Sequence, residues 1–334
     1  MPTYVLTGVD GHLSSVAASY ALTLAKPTDT LTFTSPKPGF VPRPLLASWT
    51  ARGARVLMVD YNDPANLERA FRGADVVAFV SSPNYLAGPA RRAQHRNVVE
   101  AARRAGVGRL VYTSIVGAEL GEDAAPPLAR DHAYTEALVR ASGLEWNVQR
   151  NCLFVDTVAE VFAPPGRTSA GIDLGGKECR AAFVAREDCG RVLGALLMGK
   201  GEANKVYTVT GPRAVSNKEI LRWMAARAGG VSGDSCPVSP VSDHKPEVVH
   251  RERRLSAGAS MHGDFFGRYS NEGLEDLASY GRFISHGQVL QGTDTVARLT
   301  GQKPLSFEDS LGSSACSFSE ASMDSILAQE VSCG

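Results

Sequence analysis

The chain has 334 residues, in which 35 Lys plus Arg balance 35 Asp plus Glu. That length accommodates two ordinary domains or one large α/β unit with a substantial core, and the neutral balance supplies no field to gather nucleic acid or an anionic membrane surface. The six cysteines, Cys152, Cys179, Cys189, Cys236, Cys316 and Cys333, form no CxxC pair and no zinc-like spacing with the seven histidines, so the composition predicts reduced thiols, no metal site and a small-molecule ligand.

The N-terminus carries neither the basic nor the apolar region of a signal peptide. No apolar run approaches the roughly twenty residues needed to cross a bilayer, and a cytoplasmic location is expected. Instead, the short run Tyr4-Val5-Leu6 enters Thr7-Gly8-Val9-Asp10-Gly11-His12-Leu13-Ser14, followed by a helical pattern from Ser14 to Ala25. A strand that turns through two glycines into a helix start is suited to a pyrophosphate. Gly8 can take backbone angles closed to other residues, Gly11 lets the main chain approach a ligand, and the unpaired N–H groups of the helix start attract phosphate. The third fingerprint position is Ser14 where glycine or alanine is usual.

Apolar strands and amphipathic helices alternate through the first 150 residues. Strands are expected at Tyr4–Thr7, Thr30–Thr34, Arg55–Val59, Val76–Val80, Leu110–Tyr112 and Trp146–Gln149, with helices at Ser14–Ala25, Pro64–Phe71, Ala90–Ala105 and Ala133–Ser142. This pattern predicts an α/β fold, a doubly wound parallel Rossmann sheet over residues 1–150. A smaller, partly irregular substrate region over 151–311 is expected to interleave with it, followed by a tail at 312–334. Within that region, residues 181–199 read as a strand end and a helix with Asp188 near its start. Lys205–Thr210 reads as a strand, and Ser216–Ala228 as a helix with a Ser216/Glu219 capping box. Residues 229–263, rich in Gly, Ser, Pro and charge, read as a loop or lid.

Ligands of open α/β sheets lie across the C-terminal strand ends. The third strand ends at Asp60-Tyr61, which either flank an adenine or, for Asp60, cap the helix beginning near Pro64. The second strand ends at Thr34-Ser35-Pro36-Lys37, where NAD enzymes carry an acid. The Ser35 hydroxyl and Lys37 ammonium suit a 2′-phosphate and favour NADP(H), although Lys37 also reads as an ordinary solvated lysine. Ser81-Ser82 after the fourth strand and Thr113-Ser114 after the fifth leave room for a nicotinamide ribose and ring; such residues are also common turn formers. Asp131-His132 precede the helix expected at Ala133, where His132 can exchange a proton or orient a carbonyl, or serve only as a helix-start residue.

Taken in order, several pieces resemble the NmrA-like family of atypical short-chain dehydrogenases/reductases, which includes NADPH quinone reductases and, more distantly, isoflavone-reductase-like enzymes. They are Thr7-Gly8-x-x-Gly11-x-Leu13, Gln94-x-x-Asn97, Arg109-Leu110-Val111-Tyr112-Thr113-Ser114, His132-x-x-Thr135-Glu136, Ser142-Gly143-Leu144-x-Trp146, Arg150-Asn151, Phe183-Val184-Ala185-Arg186-Glu187-Asp188, Tyr207-x-Val209-Thr210-Gly211 and Leu299-Thr300-Gly301-x-x-Pro304-x-Ser306-Phe307. The resemblance implies that Gly8, Asp10, Gly11, His12 and Leu13 wrap the pyrophosphate. It likewise implies that Lys37 lies near the ribose phosphate, that Ser81 and Ser82 lie along the cofactor, and that Arg150, Asn151 and residues to Phe154 approach the nicotinamide. His132 falls where isoflavone-reductase-like members carry a catalytic lysine and quinone reductases a histidine.

Two departures stand out. Tyr134 is followed four residues later by Leu138, so the Tyr-x-x-x-Lys dyad of ordinary short-chain dehydrogenases is missing, and Cys152 replaces the glycine usual after Arg-Asn. The expected activity is NADPH-dependent reduction of a small apolar quinone, enone, imine or carbonyl compound by a monomer or homodimer, in a setting such as secondary metabolism. A non-redox isomerase, epimerase or cyclase, and an NADP-sensing regulator without turnover, are the alternatives.

Overall fold

The structure, a computed structural model, describes residues 1–83, 87–155, 180–216, 218–220, 222–223, 283, 287 and 289–311. The expected 229–263 loop, the 312–334 tail and residues 224–228 of the expected Ser216–Ala228 helix lie outside the described residues.

Seven parallel strands form one sheet: β1 (Thr3–Leu6), β2 (Thr30–Ser35), β3 (Arg55–Met58), β4 (Val76–Phe79), β5 (Arg109–Ile115), β6 (Glu145–Asn151) and, after a short β7 (Arg180–Ala181), β8 (Lys205–Val209). Their order is β3-β2-β1-β4-β5-β6-β8, with β1 registered Val5 to Thr32 on one side and Val5 to Val77 on the other. The order reverses between β1 and β4, the place where an open sheet leaves a crevice for a dinucleotide. The sheet is Rossmann-like, as the alternating pattern predicts.

Both faces are covered. Alternate residues of each strand separate into two cores, for example Val5, Val77, Phe79, Leu110 and Tyr112 into one and Leu6, Val76, Ala78 and Val111 into the other. The first core packs beneath α3 (Pro64–Phe71), α4 (Pro89–Arg104) and α6 (Pro127–Ala141); the second beneath α1 (His12–Leu24), α2 (Arg43–Ala51) and α7 (Arg186–Leu197). A four-residue α5 (Gly121–Ala124) leads into α6.

Three expectations are corrected. Helix α1 starts at His12, two residues before Ser14. A helix at Arg43–Ala51 was not expected: it is short, Pro44 sits in its first turn, and Trp49 is its single fully buried residue, with Leu45 and Leu46 only partly covered beside it. Helix α6 starts at Pro127, not Ala133, because its buried face carries Asp131, His132, Thr135 and Glu136 beside alanines and Val139, which hides the helical period from a hydrophobicity reading.

The later residues dock back on this frame. β7 pairs antiparallel with β9 (Val215–Ser216), and the expected capping box forms, Glu219 N–H donating to Ser216 Oγ (3.1 Å) and Ser216 N–H to Glu219 Oε2 (2.8 Å). Helix α8 (Thr295–Thr300) is tied to α1 where Tyr20 Oη donates to the Thr300 carbonyl (3.0 Å). The fully buried Asp188, in the first turn of α7, accepts from Leu305 N–H (2.7 Å) and pairs with Arg191.

Candidate functional site

The end of the crevice at the β1–α1 turn is built from backbone. Gly8 has φ +67°, a left-handed conformation that a side chain would strain, and Gly11 N–H closes the turn on the Gly8 carbonyl (3.0 Å). The N-terminus of α1 has no side-chain cap, and the first intrahelical bond comes from Ser15 N–H. The N–H groups of His12, Leu13 and Ser14 therefore have no acceptor among the described residues, an arrangement that fits a dinucleotide pyrophosphate. Ser14 has its own role: its Oγ donates toward the carbonyls of Gly8 and Gly11, pinning the turn from within. The His12 ring faces Glu187 at 3.8 Å, and Asp10 is exposed at the tip of the turn.

Helix α7 sets where this turn lies. A Cβ on Gly190 would sit 2.6 Å from Val16 Cβ and 2.7 Å from the Leu13 carbonyl, and one on Gly194 2.7 Å from the Ala17 carbonyl. The two glycines, four apart on one helix face, let α7 press directly on the backbone of α1. Sequence reasoning missed this pair, although the spacing Gly190-x-x-x-Gly194 is visible.

Beyond the end of β2, Lys37 is exposed, with its ammonium 5.4 Å from the centre of the Phe40 ring. The buried Ser35 Oγ accepts from Lys37 N–H (2.9 Å) and so shapes the turn that carries the lysine. Asp60 does not cap α3; Asp63 does, accepting from Asn66 N–H (2.9 Å), because it is the residue directly before Pro64. Asp60 instead accepts from the Asn62 N–H and side-chain amide. The Tyr61 hydroxyl is held between Thr7 Oγ1 and the Val80 carbonyl, bracing the ends of β1 and β4.

The end over the tips of β4 to β6 is built from side chains. Ser81 N–H donates to Thr113 Oγ1 (2.9 Å), Ser82 N–H to His95 Nε2 (2.9 Å), and Ser82 Oγ to Gln94 Oε1 (2.6 Å). His95 Nδ1 then bonds Thr135 Oγ1 (2.8 Å), which donates to the Asp131 carbonyl (2.7 Å). Burial, reinforced by Arg91, pushes the His95 pKa down to about 3, so the ring is neutral. The Gln94-x-x-Asn97 motif is explained as well: Asn97 Nδ2 donates to the Tyr61 carbonyl (2.9 Å).

Ser114 Oγ donates to Glu136 Oε1 (2.7 Å), and Arg150 binds the same carboxylate through Nε (2.8 Å) and Nη2 (2.6 Å). Burial pushes the Glu136 carboxyl up, but the bonds from Arg150 and Ser114 outweigh it and hold the group below the usual carboxylate range. Arg150 Nη1 lies 3.5 Å from Glu119 Oε2. Asn151 is buried, accepting from Gln149 Nε2 (2.8 Å). Arg150, Glu119, Val116, Thr208, Thr210 and Val289 line a cavity of about 490 Å³ at these strand ends. Beside them, burial pushes the Cys152 thiol up to about 12, leaving it unreactive at neutral pH.

His132 departs from expectation. It lies within α6 rather than before it, and it is buried. Arg91 Nη2 bonds its Nε2 (2.8 Å) and Tyr112 Oη its Nδ1 (2.8 Å). A guanidinium only donates, so Nε2 accepts and the neutral ring carries its proton on Nδ1. Burial and then Arg91 hold its pKa well below 6.5. The side chain thus braces β5 against α4 and α6. Tyr134 points to the outer surface, where Arg96 Nη2 donates to its hydroxyl (2.5 Å). Sequence reasoning listed Glu136 and Thr135 only as family signposts and missed Arg91, His95 and Glu119, which meet His132, Thr135 and Arg150 from separate elements of the fold.

An NAD(P)H-binding family model matches residues 44–198. The chain is similar to an NmrA-like family domain-containing oxidoreductase of Aspergillus flavus, 27% identical over 221 residues that span 65% of this chain and 69% of the relative. It is similar also to quinone oxidoreductase 2 of Escherichia coli, 28% identical over 181 residues that span 54% of this chain and 60% of the relative. Among solved structures, an NADPH-dependent quinone oxidoreductase of Escherichia coli complexed with NADPH superposes with a TM-score of 0.68 at 21% identity, covering 92% of this chain and 98% of the other.

Proposed function

We propose that this chain, which is similar to an NmrA-like family oxidoreductase and matches an NAD(P)H-binding family model, is a cytoplasmic NADPH-dependent reductase of a small, largely apolar electrophile: a quinone, enone, imine or carbonyl compound. The observation that carries this reading is the uncapped α1 N-terminus at the switch point of the sheet, with a cavity of about 490 Å³ over the ends of β5, β6 and β8.

In this reading the N–H groups of His12 and Leu13, with Gly8 and Gly11, hold the pyrophosphate, and Lys37 meets the 2′-phosphate, selecting NADP(H) over NAD(H). Bound NADPH supplies the hydride. Ser81 and Ser82, fixed by Thr113 and by His95 with Gln94, form the wall along the nicotinamide ribose, and Val116 and Val289 exclude water around the acceptor. Positioning of an already electron-poor acceptor does most of the work, so the missing Tyr/Lys dyad is tolerated. A proton, where the product needs one, comes from water, while His132 positions Tyr112 and Arg91. No helix among the described residues is long and apolar enough to cross a membrane.

The test is NADPH oxidation in the presence of a benzoquinone, followed with product analysis. One NADPH consumed per two-electron reduction supports the reading. Product formed without net NADPH loss points to an isomerase or cyclase, and tight NADPH binding with no turnover of any acceptor points to a sensor.

A further inference from the structure

The chain leaves β4 beside the switch point, so its course toward α4 sets one wall of the crevice. Both ends of that connection are tied to one buried polar network. At the first end Ser82 N–H donates to His95 Nε2 (2.9 Å), and at the second Gly88 N–H donates to Asp131 Oδ2 (2.7 Å). Thr135 joins the two acceptors: its Oγ1 bonds His95 Nδ1 (2.8 Å) and donates to the Asp131 carbonyl (2.7 Å). The single Thr135 proton goes to that carbonyl, so His95 Nδ1 donates and Nε2 accepts, and each bond fixes the direction of the next. His95, Asp131 and Thr135 are all buried.

The two oxygens of Asp131 have different tasks. Oδ1 accepts from Arg92 Nε (2.6 Å), and Arg92 Nη1 continues to Glu122 Oε1 (2.6 Å). That ion pair docks α4 on α6, helped by the neighbouring bond from Arg91 to His132 (2.8 Å). Oδ2 is spent on the backbone. Gly88, at the N-cap of α4, has φ +87° and no side chain to cap the helix, so a carboxylate from α6 takes that place. Helix docking alone does not call for this second bond.

We propose, building on the reductase reading above, that Asp131 is a positioning residue for hydride transfer. Through Gly88 directly, and through Thr135 and His95 to Ser82, it holds both ends of the β4–α4 connection where Ser81 and Ser82 meet the nicotinamide ribose. It touches neither cofactor nor acceptor. In the same reading the α1 turn and Lys37 hold the phosphates, so a slackened connection leaves the cofactor bound and its reacting ring displaced. A displacement of about 1 Å at the reacting carbon then costs rate rather than affinity.

The test uses the whole chain with NADPH and a benzoquinone. Asp131→Ala removes both bonds, Asp131→Asn keeps an oxygen for Gly88 N–H while giving up the charge, and Arg92→Met gives up the ion pair alone. We expect Asp131→Ala to lower kcat about ten- to thirtyfold while the Kd for NADPH changes by less than about twofold. The fluorescence of bound NADPH, which reports how the nicotinamide is held, should move toward that of the free cofactor. Asp131→Asn should recover most of both signals, and Arg92→Met should alter neither, whatever its effect on the urea midpoint. His95→Leu, which releases Ser82 instead, carries the same expectation and decides the matter where Asp131→Ala does not fold. Wild-type kcat and fluorescence in Asp131→Ala or His95→Leu overturns the assignment. So does a loss in Arg92→Met or Asp131→Asn equal to that in Asp131→Ala, since the ion pair would then account for it. Each of these leaves the reductase reading standing, whereas failure of the unaltered chain to bind or oxidise NADPH overturns both.

Discussion

The two ends of the crevice are made of different material. At the end beside the β1–α1 turn the free groups are backbone N–H donors, shaped by Gly8 and Gly11 and pressed into place by α7. At the end over β4 to β6 the groups are side chains, buried in networks that tie Ser82 to Gln94 and His95, and Ser114 and Arg150 to Glu136. A backbone site tolerates changes of side-chain chemistry but not of shape; a buried polar network tolerates neither, since each unpaired member carries a desolvation cost. In the proposed function, specificity for the cofactor and precision at the reacting carbon are thus held by separate devices.

The comparison breaks most sharply at Glu136. Glu136→Ala leaves Arg150 without its buried partner and Ser114 without its acceptor, so we expect a loss of about 3 kcal/mol in urea unfolding, with kcat falling more than NADPH affinity. At the other end, Gly190→Ala forces a methyl group into the α1 backbone. The expected cost is about 2 kcal/mol, and here NADPH affinity falls, because the first turn of α1 moves.

Acid sharpens the contrast without mutation. The His95 pKa is lowered to about 3 in the folded protein against an ordinary 6.5, and His132 is lowered too. The unfolded chain binds more protons than the folded one as pH falls below 6.5, so stability is fully present above that value and is lost on acidification by up to about 1.4 kcal/mol per pH unit for each histidine. Urea midpoints at pH 7.5 and 5.5 should show the drop, and His95→Gln should flatten it. The smallest effect is at the exposed Lys37. Lys37→Ala should raise the Kd for NADPH about three- to tenfold, leaving NADH binding and the urea midpoint unchanged.

The same contrast explains what could be read in advance. The alternating strands and helices carry their signal locally, and the glycine turn does so within four residues, so the sheet and the turn that leads from β1 into α1 were legible. Asp63 rather than Asp60 caps α3 because the cap is set by distance to Pro64, a local rule that was available and misapplied. The start of α6 was hidden because its buried face is polar, which placed His132 outside a helix it actually occupies. The networks joining His95 to Thr135 and Arg91 to His132 span 40 and 41 residues, and no local pattern announces them. Glu119 was missed for a related reason: its meaning depends on Arg150, and through it on Glu136 and Arg140.

Thermal unfolding in the presence of saturating NADPH, NADP, NADH or NAD tests the central claim most directly, since a ligand stabilises the folded state in proportion to its occupancy. The account predicts a clear rise in Tm with NADPH and NADP, a smaller one with the unphosphorylated pair, and loss of that difference in Lys37→Ala. No rise with any of the four would contradict it.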